Sequence, residues 1–145
     1  MEDIKVLFFN ANPATMSLVP PVVALFYSIF KENNIEMRYF DTQAYDTSAL
    51  YADPNVFLHS TLMAKGENIV NERTAKKSKD GLMIFSDFKA EAEGWQPDVI
   101  MGSATESAFL FARDLFQSVR KLNIPHVLGG VFATFAPEVA IGFSE

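Results

Sequence analysis

The chain has 145 residues, of which 49% are apolar and 21% charged, and its net charge is −6. That length suits one domain of roughly 100–200 residues, and the acidic balance argues against nucleic acid or an anionic membrane as a partner. There is no cysteine. This excludes a disulfide framework, a thiolate zinc site, a cysteine nucleophile and any iron–sulfur cluster held by this chain. With only His59 and His126, a multi-histidine metal site is not expected. The acidic start Met1-Glu2-Asp3 runs straight into an apolar segment, unlike a signal peptide. The apolar runs fall short of the ~20 residues of a membrane span. The expectation is a single cytoplasmic domain over residues 1–145.

Ile4 to Phe9 (IKVLFF) is a nearly continuous apolar run, which predicts a strand buried on both faces of a parallel sheet. Asn10-Ala11-Asn12-Pro13 reads as the loop after it. Pro20 and Pro21 suit the first turn of a helix. Behind them Val22, Leu25, Phe26, Ile29 and Phe30 recur at the spacing of one apolar helix face. Glu36 to Phe40 reads as a second strand, giving a βαβ unit with a right-handed crossover. Residues 42–93 are less regular and are expected to form an elaborated crossover insert. Its stretch Lys65 to Asp80 reads as a solvated face, and Leu82 to Glu93 as a helix with Leu82, Phe85 and Phe88, or Ile84 and Phe88, facing the core.

Val99 to Gly102 predicts a third buried strand. Ser103-Ala104-Thr105-Glu106 matches a capping box. The following helix carries Ala108, Phe111, Ala112, Leu115, Phe116 and Val119 on one stripe. Asn123-Ile124-Pro125 closes it, His126 to Leu128 reads as a fourth strand, and Gly129-Gly130 ends that strand. A further helix is expected to start at Ala136-Pro137-Glu138. The order predicts a doubly wound α/β sheet, flavodoxin-like or Rossmann-like. Such a sheet has a fifth strand and a last helix that the chain does not reach, so an N-terminal part of a longer protein is expected.

Ligands of open parallel sheets bind outside the carboxyl ends of the strands. The three loops there, Asn10 to Ser17, Gly102 to Glu106 and Gly129 to Pro137, are small, polar and almost uncharged. They lack the acidic cluster of a phosphoacceptor domain, a GK[ST] phosphate loop and a GxGxxG fingerprint. Ser103 has no GxSxG elbow. What remains is a site for a large, weakly charged ligand close to the backbone. Gly129-Gly130 reads either as a turn needing positive φ or as a place where a bulky ligand approaches the backbone.

The segment HVLGGVFATFAPEVAI, with the preceding PDVIMGSATESAFLFARDLFQSVRKLNIP, resembles the N-terminal cobalamin-binding domain of cobalamin-dependent radical S-adenosylmethionine proteins. The likeness covers 97–141 and, more loosely, 4–41. It implies a Rossmann-like domain that holds a corrinoid against a C-terminal barrel domain, whose CxxxCxxC motif carries an iron–sulfur cluster and S-adenosylmethionine. On that likeness Ser103 and Thr105 line the slot for the dimethylbenzimidazole tail. Gly129, Gly130 and Val131 lie against the tail or the corrin. Phe132, Ala133 and Thr134 face the macrocycle, and Asn10, Ala11 and Asn12 occupy the loop that carries DxHxxG in methionine-synthase-like domains.

The sequence departs from that branch, because residues 10–15 keep neither the Asp, the His nor the Gly. The cobalamin is therefore expected to bind without a histidine lower ligand, with His126 a structural residue. Since the chain has no cysteine, it supplies no cluster and no radical chemistry of its own. Two other readings stand beside this one. One is a degenerate structural or interaction domain that no longer binds cobalamin. The other is a flavodoxin-like protein that binds a flavin or nucleotide.

Overall fold

The computed structural model describes residues 4–11, 20–51 and 79–142. Four parallel strands form the main sheet in the order β2-β1-β5-β6. They are β1 (Lys5–Asn10), β2 (Glu36–Phe40), β5 (Val99–Ser103) and β6 (His126–Gly129). The chain steps outward from β1 to β2 and then returns to the other side of β1, so the topological switch point lies between β1 and β5. This is an α/β fold with flavodoxin-like strand order. β1 starts and ends one residue later than the apolar run suggests, because Asn10 pairs in register with Ser103 and belongs to the strand.

Period-two alternation sorts the strand residues onto two faces. One face carries Leu7, Phe9, Ile100 and Leu128. It is covered by α3 (Ile84–Trp95) and α4 (Phe109–Val119). In α3 the buried positions are Ile84, Phe88, Ala92 and Trp95, an i, i+4, i+8, i+11 stripe. In α4 they are Phe109, Phe111, Ala112, Leu115 and Val119. Leu82, expected beside them, lies in the preceding 3-10 turn and is 68% exposed. Gly102 is required here, since a Cβ would meet the Phe9 ring at 2.5 Å and the Phe116 ring at 2.9 Å. Each fully buried large side chain contributes about 1.5–3 kcal/mol, so this face holds most of the core.

The opposite face carries Val6, Phe8, Tyr39, Met101 and Val127. Among the described residues the helix on it is α1 (Pro21–Glu32), which starts at Pro21 as expected. Phe26 of α1 meets Phe8 edge-on at 5.3 Å and stacks on Phe30 at 5.6 Å. No residue of α1 is fully buried, however, and Leu25 stays 58% exposed. The predicted apolar stripe is present but is only half used.

Between β2 and α3 the chain forms β3 (Tyr45–Asp46), the short α2 (Ser48–Tyr51) and β4 (Lys79–Asp80). β3 and β4 pair in parallel, Tyr45 with Lys79 and Asp46 with Asp80. Tyr45 packs on Phe40 at 5.7 Å and donates its hydroxyl hydrogen bond to Asp87 at 2.8 Å. This seats the base of the insert on the α3 face. Most of the basic stretch expected as a solvated face lies outside the described residues. After β6 come two short helices, α5 (Val131–Phe135) and α6 (Pro137–Gly142). The first of these was not expected from the sequence.

Candidate functional site

The carboxyl ends of β1, β5 and β6 meet at the switch point. Asn10 pairs with Ser103, and Ser103 with Gly129. Two further backbone bonds extend the ladder past the strands: Ala11 N–H donates to the Ser103 carbonyl at 2.8 Å, and Ala104 N–H to the Gly129 carbonyl at 3.2 Å. Register and alternation put Asn10, Ser103 and Gly129 side by side on the α1 face. They form a row of small residues at the place where doubly wound sheets hold ligands.

The two glycines of the pair differ. Among the described residues a Cβ on Gly129 would meet only the Gly102 carbonyl oxygen, at 3.9 Å, an ordinary van der Waals distance. Gly130 has φ 97° and ψ −179°, a region that is essentially glycine-only. A Cβ there would lie 2.6 Å from the Ala104 carbonyl oxygen and 3.0 Å from Ser103 Oγ. Gly130 is thus accounted for by a turn pressed against its own chain, whereas no described side chain crowds Gly129.

The other residues singled out in the sequence divide likewise. Ala11 is buried in the core cluster, and Asn12 lies outside the described residues. The Thr105 and Ser107 hydroxyls share a hydrogen bond of 3.2 Å. The expected capping box does not form, because Ser103 remains in β5 and Thr105 makes no side-chain cap. Val131 is 60% exposed. The Phe132 ring packs on Phe109 at a centroid distance of 4.4 Å. Thr134 donates its hydroxyl to the Gly130 carbonyl at 2.9 Å, and Ala133 faces a cavity beside α4. The structure therefore brings Asn10, Ser103 and Gly129 to one edge, leaves Val131 exposed, and turns Phe132 and Ala133 toward α4.

His126 begins β6, three residues before Gly129 and so about 10 Å from the carboxyl edge at ~3.3 Å per residue. Its ring stacks on Phe116 at 4.7 Å. The residue is exposed at its edge, yet burial of the ring pulls its pKa below the usual histidine value. His59 lies outside the described residues. Among the described residues no group of three or more His, Asp or Glu is placed to hold a metal ion, and no helix is long and apolar enough to cross a membrane.

Sequence reading missed the cavity beside α4, of about 390 Å³. Its signal was present in the spacing of Arg113, Phe116, Gln117 and Arg120, which share one helix face at i, i+3, i+4 and i+7. Comparison with protein-family models, with curated proteins and with solved structures returns no match.

Proposed function

We propose that the chain is the cobalamin-binding module of a radical S-adenosylmethionine enzyme, holding a corrinoid at the switch point against a barrel domain. The observation that supports this reading is the row Asn10–Ser103–Gly129, where no described side chain lies against the Gly129 backbone. A flat macrocycle or its slender nucleotide tail needs such an approach, and a side chain at Gly129 would close it. Asn10 and Ser103 supply neutral hydrogen-bonding groups, and Val131 an apolar contact. The corrinoid, when bound, supplies an alkyl-carrying metal centre for methyl transfer or a related step. The chain's part is binding, orientation and shielding. The iron–sulfur cluster and S-adenosylmethionine belong to the barrel domain in this reading.

The test is an absorbance titration of the protein with hydroxocobalamin. A saturable spectral change is expected, unaltered by His126→Ala and lost in Gly129→Trp. A flat titration of the folded protein, or undiminished binding by Gly129→Trp, would sink the proposal. The packing of Gly130 on Ala104 and of Phe132 on Phe109 favours a second reading, a structural or interaction domain whose site is filled by its own residues. A flat titration is the outcome which that reading expects.

A further inference from the structure

The two edges of the main sheet are built differently. β2, at one edge, carries the charged residues Glu36 and Arg38, both exposed, and Arg38 pairs with Glu91 at 3.0 Å. Charges of this kind keep an edge strand from pairing with another chain. β6, at the other edge, carries none: it consists of His126, Val127, Leu128 and Gly129. No Asp, Glu, Lys or Arg stands between Lys121 and Glu138. Among the described residues no strand lies beyond β6.

Two backbone bonds fix how β6 is turned. The Pro125 carbonyl accepts from Ile100 N–H at 3.0 Å, and the Gly129 carbonyl from Ala104 N–H at 3.2 Å. Successive residues of a strand direct their backbone groups to opposite sides. Pro125, Val127 and Gly129 therefore face β5, and His126 and Leu128 hold their N–H and C=O groups on the outer edge. The Val127 side chain, on the α1 face, is 46% exposed.

We infer that β6 pairs with β6 of a second copy of this chain, antiparallel about a two-fold axis through Val127, so that two sheets join into one. Three features choose that occupant. First, the edge is self-complementary. With His126 opposite Leu128 of the second copy, and Leu128 opposite its His126, every outer N–H and C=O finds a partner in the closely spaced pairs of an antiparallel ladder. A two-fold contact needs such a self-matching patch. Second, Val127 then stands directly opposite Val127 of the second copy, a β-branched pair of the kind that stabilises neighbouring strands. Third, two copies of a chain with net charge −6 repel each other, and the uncharged stretch around β6 lets them meet without setting like charges opposite. His126 adds none at neutral pH, since burial of its ring lowers its pKa. The contact does not depend on a corrinoid at the carboxyl edge.

Sedimentation velocity of the whole chain tests this. The mass should rise from one chain to two, with a dissociation constant on the order of 100 μM, as for a small transient interface. Val127→Lys should weaken association at least about tenfold, because two like charges would stand opposite each other. The chain has no cysteine, so a single introduced thiol reports the register. Residues opposite in a non-hydrogen-bonded pair have Cα atoms about 4.5 Å apart, within reach of a disulfide. Val127→Cys should therefore oxidise rapidly to a disulfide-linked dimer. His126→Cys should not, since His126 is displaced from its own copy by two residues, beyond the ~7 Å limit. A monomer persisting at ~1 mM, tenfold above the expected constant, would overturn the inference. So would a mass that grows past two chains, undiminished association of Val127→Lys, or equal cross-linking of the two cysteine variants. If Val127→Lys unfolds, the cysteine pair still decides.

Discussion

The two faces of one sheet are built to different standards. The α3/α4 face buries Leu7, Phe9, Ile100, Phe88, Phe111 and Leu115 completely. The α1 face leaves Leu25, Ile29 and Val127 between 42% and 58% exposed. Both faces are written in the same apolar vocabulary, and parallel sheets are ordinarily covered on both sides. Among the described residues the fully buried packing is concentrated on the α3/α4 face. The row Asn10–Ser103–Gly129 sits on the α1 face.

The largest effect is expected from Phe88→Ala, which removes a ring packed against Phe9 at 5.4 Å and Phe40 at 4.9 Å. A loss of about 3–5 kcal/mol in denaturant unfolding is expected. Leu25→Ala on α1 should cost under ~0.5 kcal/mol, as exposed changes do. A loss at Leu25 equal to that at Phe88 would erase the distinction between the faces. Next comes Gly130→Ala, expected to cost at least about 1–3 kcal/mol from its glycine-only backbone alone. Gly129→Ala should fold normally, because its Cβ meets nothing closer than 3.9 Å among the described residues.

The dense face also carries a pH signature. Burial holds the His126 pKa below 6.5 in the folded chain, so the unfolded chain binds the proton more readily. The stability contributed by the neutral ring is therefore complete above about pH 6.5. It is lost as pH falls through the lower folded value. His126→Phe, which keeps the stack on Phe116, should show a smaller loss between pH 7 and 5 in parallel melts. The smallest effect is expected at Tyr39, on the α1 face. Its hydroxyl is buried with no partner among the described residues. Desolvation, aided by the nearby Asp41 charge, pushes its pKa up to about 12. Tyr39→Phe should be neutral or stabilising by up to ~1 kcal/mol, since an unsatisfied group is removed. A clear loss of stability would mean that the hydroxyl is satisfied after all.

The strands and α4 were legible because their signals are local. IKVLFF, VIMG and the stripe from Ala108 to Val119 each carry a period that tolerates little else. The start of α1 was legible from Pro21 for the same reason. Its half-used stripe was not, because periodicity marks which face is apolar and not what lies against it. The capping box failed since Ser103 is held by the ladder to Asn10 and Gly129, a long-range pairing that outweighs a local cap. The candidate site was legible as a place, the carboxyl edge, but not in its division. That Gly130 is pressed on Ala104 while no described side chain crowds Gly129 depends on contacts across the sheet, and so does the ring pair Phe132–Phe109.

The parallel pair β3–β4 has a consequence for how this chain can vary. Tyr45 and Lys79 are neighbours in register, so the excursion between Asp46 and Lys79 leaves and returns at one point. Gly81 lies directly against the Asp46 carbonyl, and Lys79 bridges Asp87 at 3.1 Å and the Tyr45 hydroxyl at 3.3 Å. Within the excursion Tyr51 rests on Phe111 at 4.8 Å and donates its hydroxyl to Asp114 at 2.7 Å, so a change there that displaced Tyr51 would reach the α3/α4 core as well as the clamp.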